Sequence, residues 1–489
     1  MSAWLPVLTL LTSFLPALVI FRIPDTRPRL RTAINLAGAV AKLGLVALML
    51  GGVAAGEIYE TRLALAPGLE LLLRVDALCL LFLTLSALLW LLTTIYAIAY
   101  FGEGPNQSRF FGFFSLCVAA TTGVALSGTL ITFFIFYEFL TLSTWPLVTH
   151  KGDESSISAG RKYLAYTLGG SALLLIGMVW LESMAGPVEF AVHDGLLGLD
   201  RTSLQIIFFL LVGGMGVKAA LIPLHGWLPA AMVAPAPVSA LLHAVAVVKA
   251  GAFGIVRIVY DVYGFDLVQE LGVGLPLAAV AAATIVWGSL RALFQRDIKK
   301  RLAYSTVSQV SYIVLGTALA GPWATVGGLV HLVHQGLMKI TLFFCAGALA
   351  ERMKVTKVDQ LDGAGRAMPL TMFAFSIAAL GMIGVPPVAG FVSKWQLGVG
   401  GLQAGQLWVI FILAASSLLN AAYFLPLIYR AWFRSPEGPP VPPGRERNYM
   451  LIGPAVVTAA VALLVGLFAG MDYSPLSWAQ LIVEREYGM

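Results

Sequence analysis

Apolar runs of roughly 18 to 25 residues recur along nearly the whole chain, and this feature limits the possible fold more than any other. A helix that rises about 1.5 Å per residue needs that length to cross a hydrocarbon layer about 30 Å thick. The 489 residues are 59% hydrophobic and only 11% charged, which is more apolar surface than a water-soluble core of ordinary proportions can hide. The pattern predicts an all-α, polytopic membrane protein with a single membrane domain.

We expect about fourteen spans joined by short loops. They cover residues 3–21, 33–54, 77–100, 110–127, 129–149, 163–184, 204–222, 238–257, 274–294, 302–320, 323–350, 370–392, 406–430 and 450–470. The first run lacks a preceding basic segment and a small-residue cleavage site, so we expect it to be retained rather than removed as a signal peptide. A linker rich in proline and glycine, residues 435–448, precedes the last span, and no element is expected beyond that span.

Basic residues are concentrated in alternate loops. One set of loops includes the cluster Arg296, Lys299, Lys300 and Arg301, whereas the other set is mainly acidic. Because cytoplasmic loops of membrane proteins are enriched in lysine and arginine, the basic side is predicted to be cytoplasmic. Both termini are then expected to face outward from a bacterial cell membrane, and the net charge of +6 reflects topology rather than nucleic-acid binding.

Several ionisable residues fall in or beside the predicted spans, where lipid disfavours charge. They are Lys42, Glu138, Lys218, His243, Lys249, His331, His334, Lys339 and Lys394. Each charge at the membrane centre costs about 2.5 to 3.5 kcal/mol, which indicates a function for them. The alternative is a lysine that reaches the membrane interface or a histidine held by a backbone carbonyl, and it applies most to Lys42.

Glu138 lies in the middle of an apolar span, with no basic residue within one helical turn. Its partner must therefore come from another helix. A lysine is the natural partner, because a buried carboxylate and a buried ammonium each favour the charged form of the other. Such a pair can act as a switch, since separating it makes the lysine readier to lose its proton. A purely structural ion pair is the alternative.

His331 and His334 are three residues apart on one helical face, and Lys339 follows close to the same face. Such a row can pass protons near neutral pH, where imidazole titrates. Two histidines at this spacing can also hold a metal ion, although no third ligand stands out in the sequence.

Two segments rich in proline and glycine interrupt the spans near buried lysines. The first follows Lys218 and contains Pro223 and His225, and the second runs from Gly381 to Lys394 through two consecutive prolines. Proline cannot continue a regular helix, and irregular backbone at membrane depth occurs only where protein or water surrounds it. Two such breaks indicate an inverted repeat and an ion path.

No cofactor is predicted. Cys79, Cys117 and Cys345 are isolated in apolar stretches, which argues against disulfides, zinc and iron–sulfur ligation. Residues 214–219 match the pattern GxGxxA of dinucleotide-binding loops, but they follow no strand and lie inside a span. No nucleophile–base set is evident either, so we expect a transporter subunit rather than an enzyme.

Four long motifs resemble those of a known family. The block from Lys218 to His243 reads KAALIPLHGWLPAAMVAPAPVSALLH and continues to Lys249 and Arg257. The others are DIKKRLAYSTVSQ at 297–309, HLVHQGLMK at 331–339 and GVPPVAGFVSK at 384–394. In these motifs the chain resembles the antiporter-like subunits shared by Mrp-type Na⁺/H⁺ antiporters, respiratory complex I and membrane-bound hydrogenases.

The resemblance implies fourteen spans, broken seventh and twelfth helices, and two inverted five-helix repeats, which we place at 110–257 and 274–430. It also implies a proton pathway. Glu138 and Lys218 correspond to the family's glutamate–lysine pair, Lys249 to its central lysine, His331 and His334 to a polar connection, and Lys394 to its last lysine. We add three residues from the same motifs to the predicted pathway: His225, His243 and Lys339.

The sequence of residues 218–257 is most similar to that of the D subunit of Mrp-type antiporters. The resemblance therefore implies a proton-translocating subunit of a multisubunit Na⁺/H⁺ antiporter, with other hydrophobic subunits as partners. A proton-pumping subunit of a complex I-like enzyme or membrane-bound hydrogenase is the alternative, although the lysine at 394 disfavours one complex I subunit type that has glutamate there. A third possibility is that the buried charges only hold a complex together.

Overall fold

The computed structural model describes residues 2–66, 69–102, 104–191, 194–196, 198–435, 446 and 448–489. Within them the chain is almost entirely helical. The helices are α1 (Leu5–Ile20), α2 (Pro28–Ala54), α3 (Ala77–Phe101), α4 (Gln107–Leu126), α5 (Leu130–Val148), α6 (Glu154–Ala185), α7 (Arg201–Lys218), α8 (Trp227–Ala230), α9 (Ala236–Ala244), α10 (Val247–Arg257), α11 (Phe265–Leu271), α12 (Gly274–Leu293), α13 (Ile298–Ala318), α14 (Pro322–Met353), α15 (Ala364–Ala367), α16 (Pro369–Ile383), α17 (Ala389–Gln403), α18 (Trp408–Phe433), α19 (Tyr449–Leu467) and α20 (Pro475–Arg485).

Each predicted span coincides with one helix or with two consecutive helices of the described residues. Eleven described helical stretches are long and apolar enough to cross a membrane, and α1 and α16 are shorter apolar helices. The all-α, multi-pass membrane fold is confirmed. The predicted linker, residues 435–448, lies almost wholly outside the described residues.

Three elements depart from the prediction. An antiparallel hairpin of β1 (Tyr59–Ala66) and β2 (Leu69–Val75) joins α2 to α3. The span predicted at 238–257 is interrupted between α9 and α10, and its helix continues as a π-helical turn over Ile258–Tyr263. The expectation that nothing follows the last span was wrong, because α20 packs against α3 and α14.

The hairpin marks one face of the molecule, which we call the hairpin face. The Thr61 hydroxyl donates to the carbonyl of Ala3, and Leu73 of β2 pairs with Ser127 after α4. Arg485, at the end of α20, donates to the carbonyl of Ala54 at the end of α2 at 3.0 Å. Both ends of the described chain therefore lie on this face, in agreement with an even number of crossings.

The loops that carry most of the basic residues meet on the opposite face, which we call the basic face. There Asp25 accepts hydrogen bonds from the backbone amides of Asn106 and Ser108, both at 2.8 Å. Asp362 pairs with Arg430 at 2.8 Å on the same face. Burial raises the pKa of Asp25, but these amide bonds and nearby Arg31 outweigh it and leave that pKa below its usual value.

Helix α14 runs through the middle of the molecule. It packs against α3, α9, α13, α16, α17, α19 and α20. A helix that is apolar nearly all round must be buried on every side, and all of its central residues are. Because His331, His334 and Lys339 belong to this helix, the fold holds them away from both lipid and solvent.

Candidate functional site

Lys218 is the last residue of α7, directly before the break that the prolines impose. Its side chain is fully buried, and its ammonium donates a hydrogen bond to the backbone carbonyl of Tyr137 on α5. The same ammonium lies 3.3 Å from the centroid of the Tyr137 ring. Desolvated contacts of this kind contribute about 2 kcal/mol or more, so Tyr137 is a principal partner of the lysine.

Glu138 is the next residue on α5, but it turns to a different partner. Its Oε1 accepts a hydrogen bond from the hydroxyl of Ser171 on α6. The carboxylate lies within electrostatic range of Lys218, yet the described side chains of the two residues form no ion pair. The predicted salt bridge between the two residues is not formed, because Lys218 is bound by Tyr137 and Glu138 by Ser171.

Lys249 lies on α10, just after the interruption between α9 and α10. Its ammonium donates to the carbonyl of Leu332 on α14 at 2.8 Å. The Lys249 charge acts on His331, and the Lys339 charge acts on Lys249. The Cα of Gly251 packs against the backbone of Lys218, so the segment of α10 that carries Lys249 lies close to Lys218.

The two histidines of α14 lie within electrostatic range of each other but make different contacts. His331 Nδ1 is 2.8 Å from the hydroxyl of Ser393 on α17, and its ring is 5.1 Å from that of Tyr312. His331 Nε2 and both ring nitrogens of His334 have no hydrogen-bond partner in the described part of the chain. Buried polar atoms of this kind normally bind protein groups or ordered water, so the region is suited to hold water.

Lys394 occupies the second turn of α17, beyond the break between α16 and α17. Its ammonium donates to the carbonyls of Met382 and Ile383 at 3.1 and 2.7 Å and to the hydroxyl of Ser417 at 3.0 Å. The two carbonyls are available because the helix that would have used them ends at Ile383. The break thus supplies the partners of the buried lysine.

A chain of hydrogen bonds joins Lys339 to Lys394 through residues that the sequence analysis missed. Lys339 donates to the Ser305 hydroxyl at 2.8 Å, and the Tyr423 hydroxyl lies 2.9 Å from Ser305 and 2.6 Å from Asn420 Oδ1. The Asn420 amide donates at 3.0 Å to the Met382 carbonyl that also binds Lys394. Serine, tyrosine and asparagine are ordinary in membrane helices, so no feature of the sequence singles these three out.

His243 and His225 complete the set of predicted pathway residues. His243 is fully buried, its ring lies 4.7 Å from that of Phe343, and the charge of Lys339 acts on it. His225 is half-buried in the break after α7, and its ring lies 6.4 Å from that of Tyr304. Tyr304 and Gly226, the residue after His225, line a recess of 420 Å³ on the basic face together with Lys162 and Lys300. His225 is therefore next to the basic face and apart from the central group.

Lys42 is fully buried rather than reaching the membrane interface. It donates to the Thr122 hydroxyl and lies 5.4 Å from the ring centroid of Trp90. In the described part of the chain, neither of these residues contacts the lysines of the predicted pathway.

Comparison with known proteins gives consistent matches along the whole chain. The family model described as NADH:quinone oxidoreductase/Mrp antiporter, TM, matches residues 127–420. NADH-quinone oxidoreductase subunit N of Desulforudis audaxviator is 35% identical, with 96% of each chain covered. The D subunit of the Na⁺/H⁺ antiporter of Bacillus subtilis is 27% identical over 78% of this chain and 77% of that protein. A chain of the Mrp complex from Dietzia superposes with a TM-score of 0.87 at 26% identity, with 98% of each chain covered.

Proposed function

Because this chain belongs to the NADH:quinone oxidoreductase/Mrp antiporter transmembrane family, we propose that it conducts protons across a membrane as one subunit of a multisubunit complex. The observation that carries this proposal is the line of buried lysines and histidines from α7 through α10 and α14 to α17. Three of its four lysines donate to backbone carbonyls, and each of those three lysines stands beside a break in a helix. A structural role alone rarely compensates the cost of so many buried ionisable groups, about 2.5 to 3.5 kcal/mol each.

The proposed path has an order. Protons enter from the basic face through the recess beside His225 and reach Lys218, where Glu138 acts as the gate. They continue through Lys249 and the region of His331 and His334 to Lys394. Moving a charge against the membrane field costs about 2.3 kcal/mol per 100 mV, so neighbouring subunits must supply the driving force.

Within the family we propose an Mrp-type Na⁺/H⁺ antiporter subunit of the D type. The end-to-end superposition on a chain of an Mrp complex and the similarity to the D subunit from Bacillus subtilis support this assignment. The second candidate is a proton-pumping subunit of an NADH–quinone oxidoreductase, and the identity of 35% with a subunit N over nearly the full length favours it.

Two further proposals concern placement. The basic face lies in the cytoplasm of a bacterial cell, so the hairpin face, with both ends of the described chain, lies outside. Residues 110–257 and 274–430 form two inverted repeats. The breaks after Lys218 and before Ala389 support this, because they occupy corresponding places in the two segments.

The test of the partners is purification from the native membrane in mild detergent, followed by mass spectrometry of the bound subunits. Small hydrophobic subunits without redox proteins are expected. Flavin, iron–sulfur or nickel subunits would instead assign the chain to a redox-driven pump.

The test of the residues is proton flux in inverted membrane vesicles, with native gels to follow assembly. We expect Lys249→Met and Lys394→Met to abolish flux while the complex still assembles. Loss of the complex in both variants would show that the charges serve assembly instead.

A further inference from the structure

A small cavity of 150 Å³ opens on the hairpin face between α14, α17 and α20. Its walls include Val326 of α14, Gln396 of α17, and Gln480 and Glu484 of α20. Water takes up about 30 Å³ per molecule in the liquid, so the cavity has room for a few water molecules. Its polar wall gives those molecules hydrogen-bond partners, so we expect it to be wet.

Gln396 is the buried polar group of this cavity. Only 7% of the residue is exposed, and its Oε1 has no hydrogen-bond partner among the described residues. Leaving a buried polar atom unpaired costs about 1 to 3 kcal/mol, whereas a water molecule in the cavity would satisfy it. The side chain is therefore placed to bind water.

The cavity lies one helical turn from the proposed proton path. Helices α14 and α17 approach closely at Gly327, where an added Cβ would lie 2.7 Å from the backbone nitrogen of Leu397. Further into the membrane along the same two helices, His331 Nδ1 meets the Ser393 hydroxyl at 2.8 Å. Gln396 follows Ser393 by three residues, so both lie on the same face of α17.

We infer that this cavity is the mouth of the proton path on the hairpin face, and that Gln396 positions the water that exchanges protons with the Ser393–His331 pair. The role in transport rests on the proposed function, whereas the presence of a water-filled mouth does not. In each step one O–H or N–H bond breaks as another forms, between water, the Ser393 hydroxyl and His331 Nδ1. Glu484 lies in the outer wall of the cavity, and its side chain is exposed.

Thiol labelling tests the mouth itself. All three native cysteines are buried, so a Gln396→Cys variant of the full chain in its native membrane offers a single accessible thiol on this chain. A charged, membrane-impermeant methanethiosulfonate should modify it from the hairpin side and not from the basic side. Gln403→Cys, exposed on the same helix, is the positive control, and Ala378→Cys, buried in α16, is the negative control. Labelling of Gln403→Cys without labelling of Gln396→Cys would overturn the inference.

Proton flux then tests the role of Gln396. We expect Gln396→Leu to lose flux in an assembled complex, because leucine cannot bind the water, and Gln396→Asn to recover part of it. We also expect modification of Gln396→Cys by the methanethiosulfonate to block proton flux. Normal flux in an assembled Gln396→Leu complex would overturn the role of Gln396 even if the cavity labels. If Lys249→Met and Lys394→Met retain flux, the proposed function fails, and the labelling result still reports on the cavity.

Discussion

The ammonium of Lys218 lies 3.3 Å from the ring centroid of Tyr137 and is hydrogen-bonded to the carbonyl of the same residue. Glu138, the next residue along α5, accepts from Ser171 instead. A lysine held by a neutral aromatic residue within reach of a carboxylate has two alternative partners. We interpret the structure as the separated state of the proposed gate, in which the ammonium has left the carboxylate.

Replacing the aromatic ring of Tyr137 should shift the Lys218 ammonium from Tyr137 toward Glu138. In Tyr137→Leu the ammonium loses a contact of about 2 kcal/mol, which favours pairing with Glu138 by roughly tenfold or more. We expect proton flux to fall by a similar factor while the complex assembles. Tyr137→Phe keeps the ring and the backbone carbonyl, so it should retain most of the flux. Equal flux in the leucine and phenylalanine variants would contradict the ring's role.

Gly384 lies in the break that exposes the carbonyls bound by Lys394. Its φ is +99°, and an added Cβ would lie 2.8 Å from Lys394 Cδ. Gly405 has a φ of +69° with no atom within 4 Å of such a Cβ. Alanine at either position should lower the free energy of unfolding by about 1 kcal/mol, because L residues disfavour positive φ.

Only Gly384→Ala should also lower proton flux, since it alone displaces the lysine. Thermal unfolding in detergent and flux in vesicles measure the two effects separately. A parallel loss of flux in Gly405→Ala would mean that the effect reflects stability rather than the position of Lys394.

The Tyr423 hydroxyl links Ser305 to Asn420 within the chain between Lys339 and Lys394. Tyr423→Phe removes this link and leaves buried partners unsatisfied, at a cost of about 1 to 3 kcal/mol in stability. We expect the variant to assemble and to show several-fold lower proton flux. Tyr429→Phe, on the exposed side of the same helix, is the matched control. Unchanged flux in Tyr423→Phe would indicate that protons bypass this chain.

The sequence predicted the spans, the buried lysines and two of the three helix breaks, because apolar length, charge and proline are visible in the residues themselves. The break between Ala244 and Val247 contains neither proline nor glycine, so it depends on packing against other helices. The partners of Lys218, Lys249 and Lys394 are backbone carbonyls of other segments, which residue types do not reveal. The arrangement around the site therefore required the structure.

A cluster of charges on the hairpin face joins α20 to the rest of the molecule. Arg257 is held between Asp76 at 2.8 Å and Asp261 at 2.7 Å. Glu486, just after α20, accepts a hydrogen bond from the backbone amide of Ala77 at the start of α3. Burial and the nearby Asp76 raise the pKa of Glu486 to about 8, against the opposing effect of Arg257.

The raised pKa makes the stability of the folded protein depend on pH. The folded state keeps the Glu486 proton at pH values where the unfolded chain, with a glutamate pKa of about 4.3, has lost it. The contribution of Glu486 to stability is therefore greatest below about pH 4.3 and falls as the pH rises toward 8. We therefore expect the free energy of unfolding to decrease between about pH 5 and 8.

Thermal unfolding of the purified complex across this pH range measures the effect. Glu486→Gln keeps an acceptor for the Ala77 amide but cannot ionise, so its unfolding temperature should vary less with pH than that of the unmodified protein. Asp472→Asn removes an exposed carboxyl on the same face and should leave the pH dependence of the unfolding temperature unchanged. If Glu486→Gln keeps the full pH dependence, another group governs it, and the attachment of α20 does not respond to the protonation of Glu486.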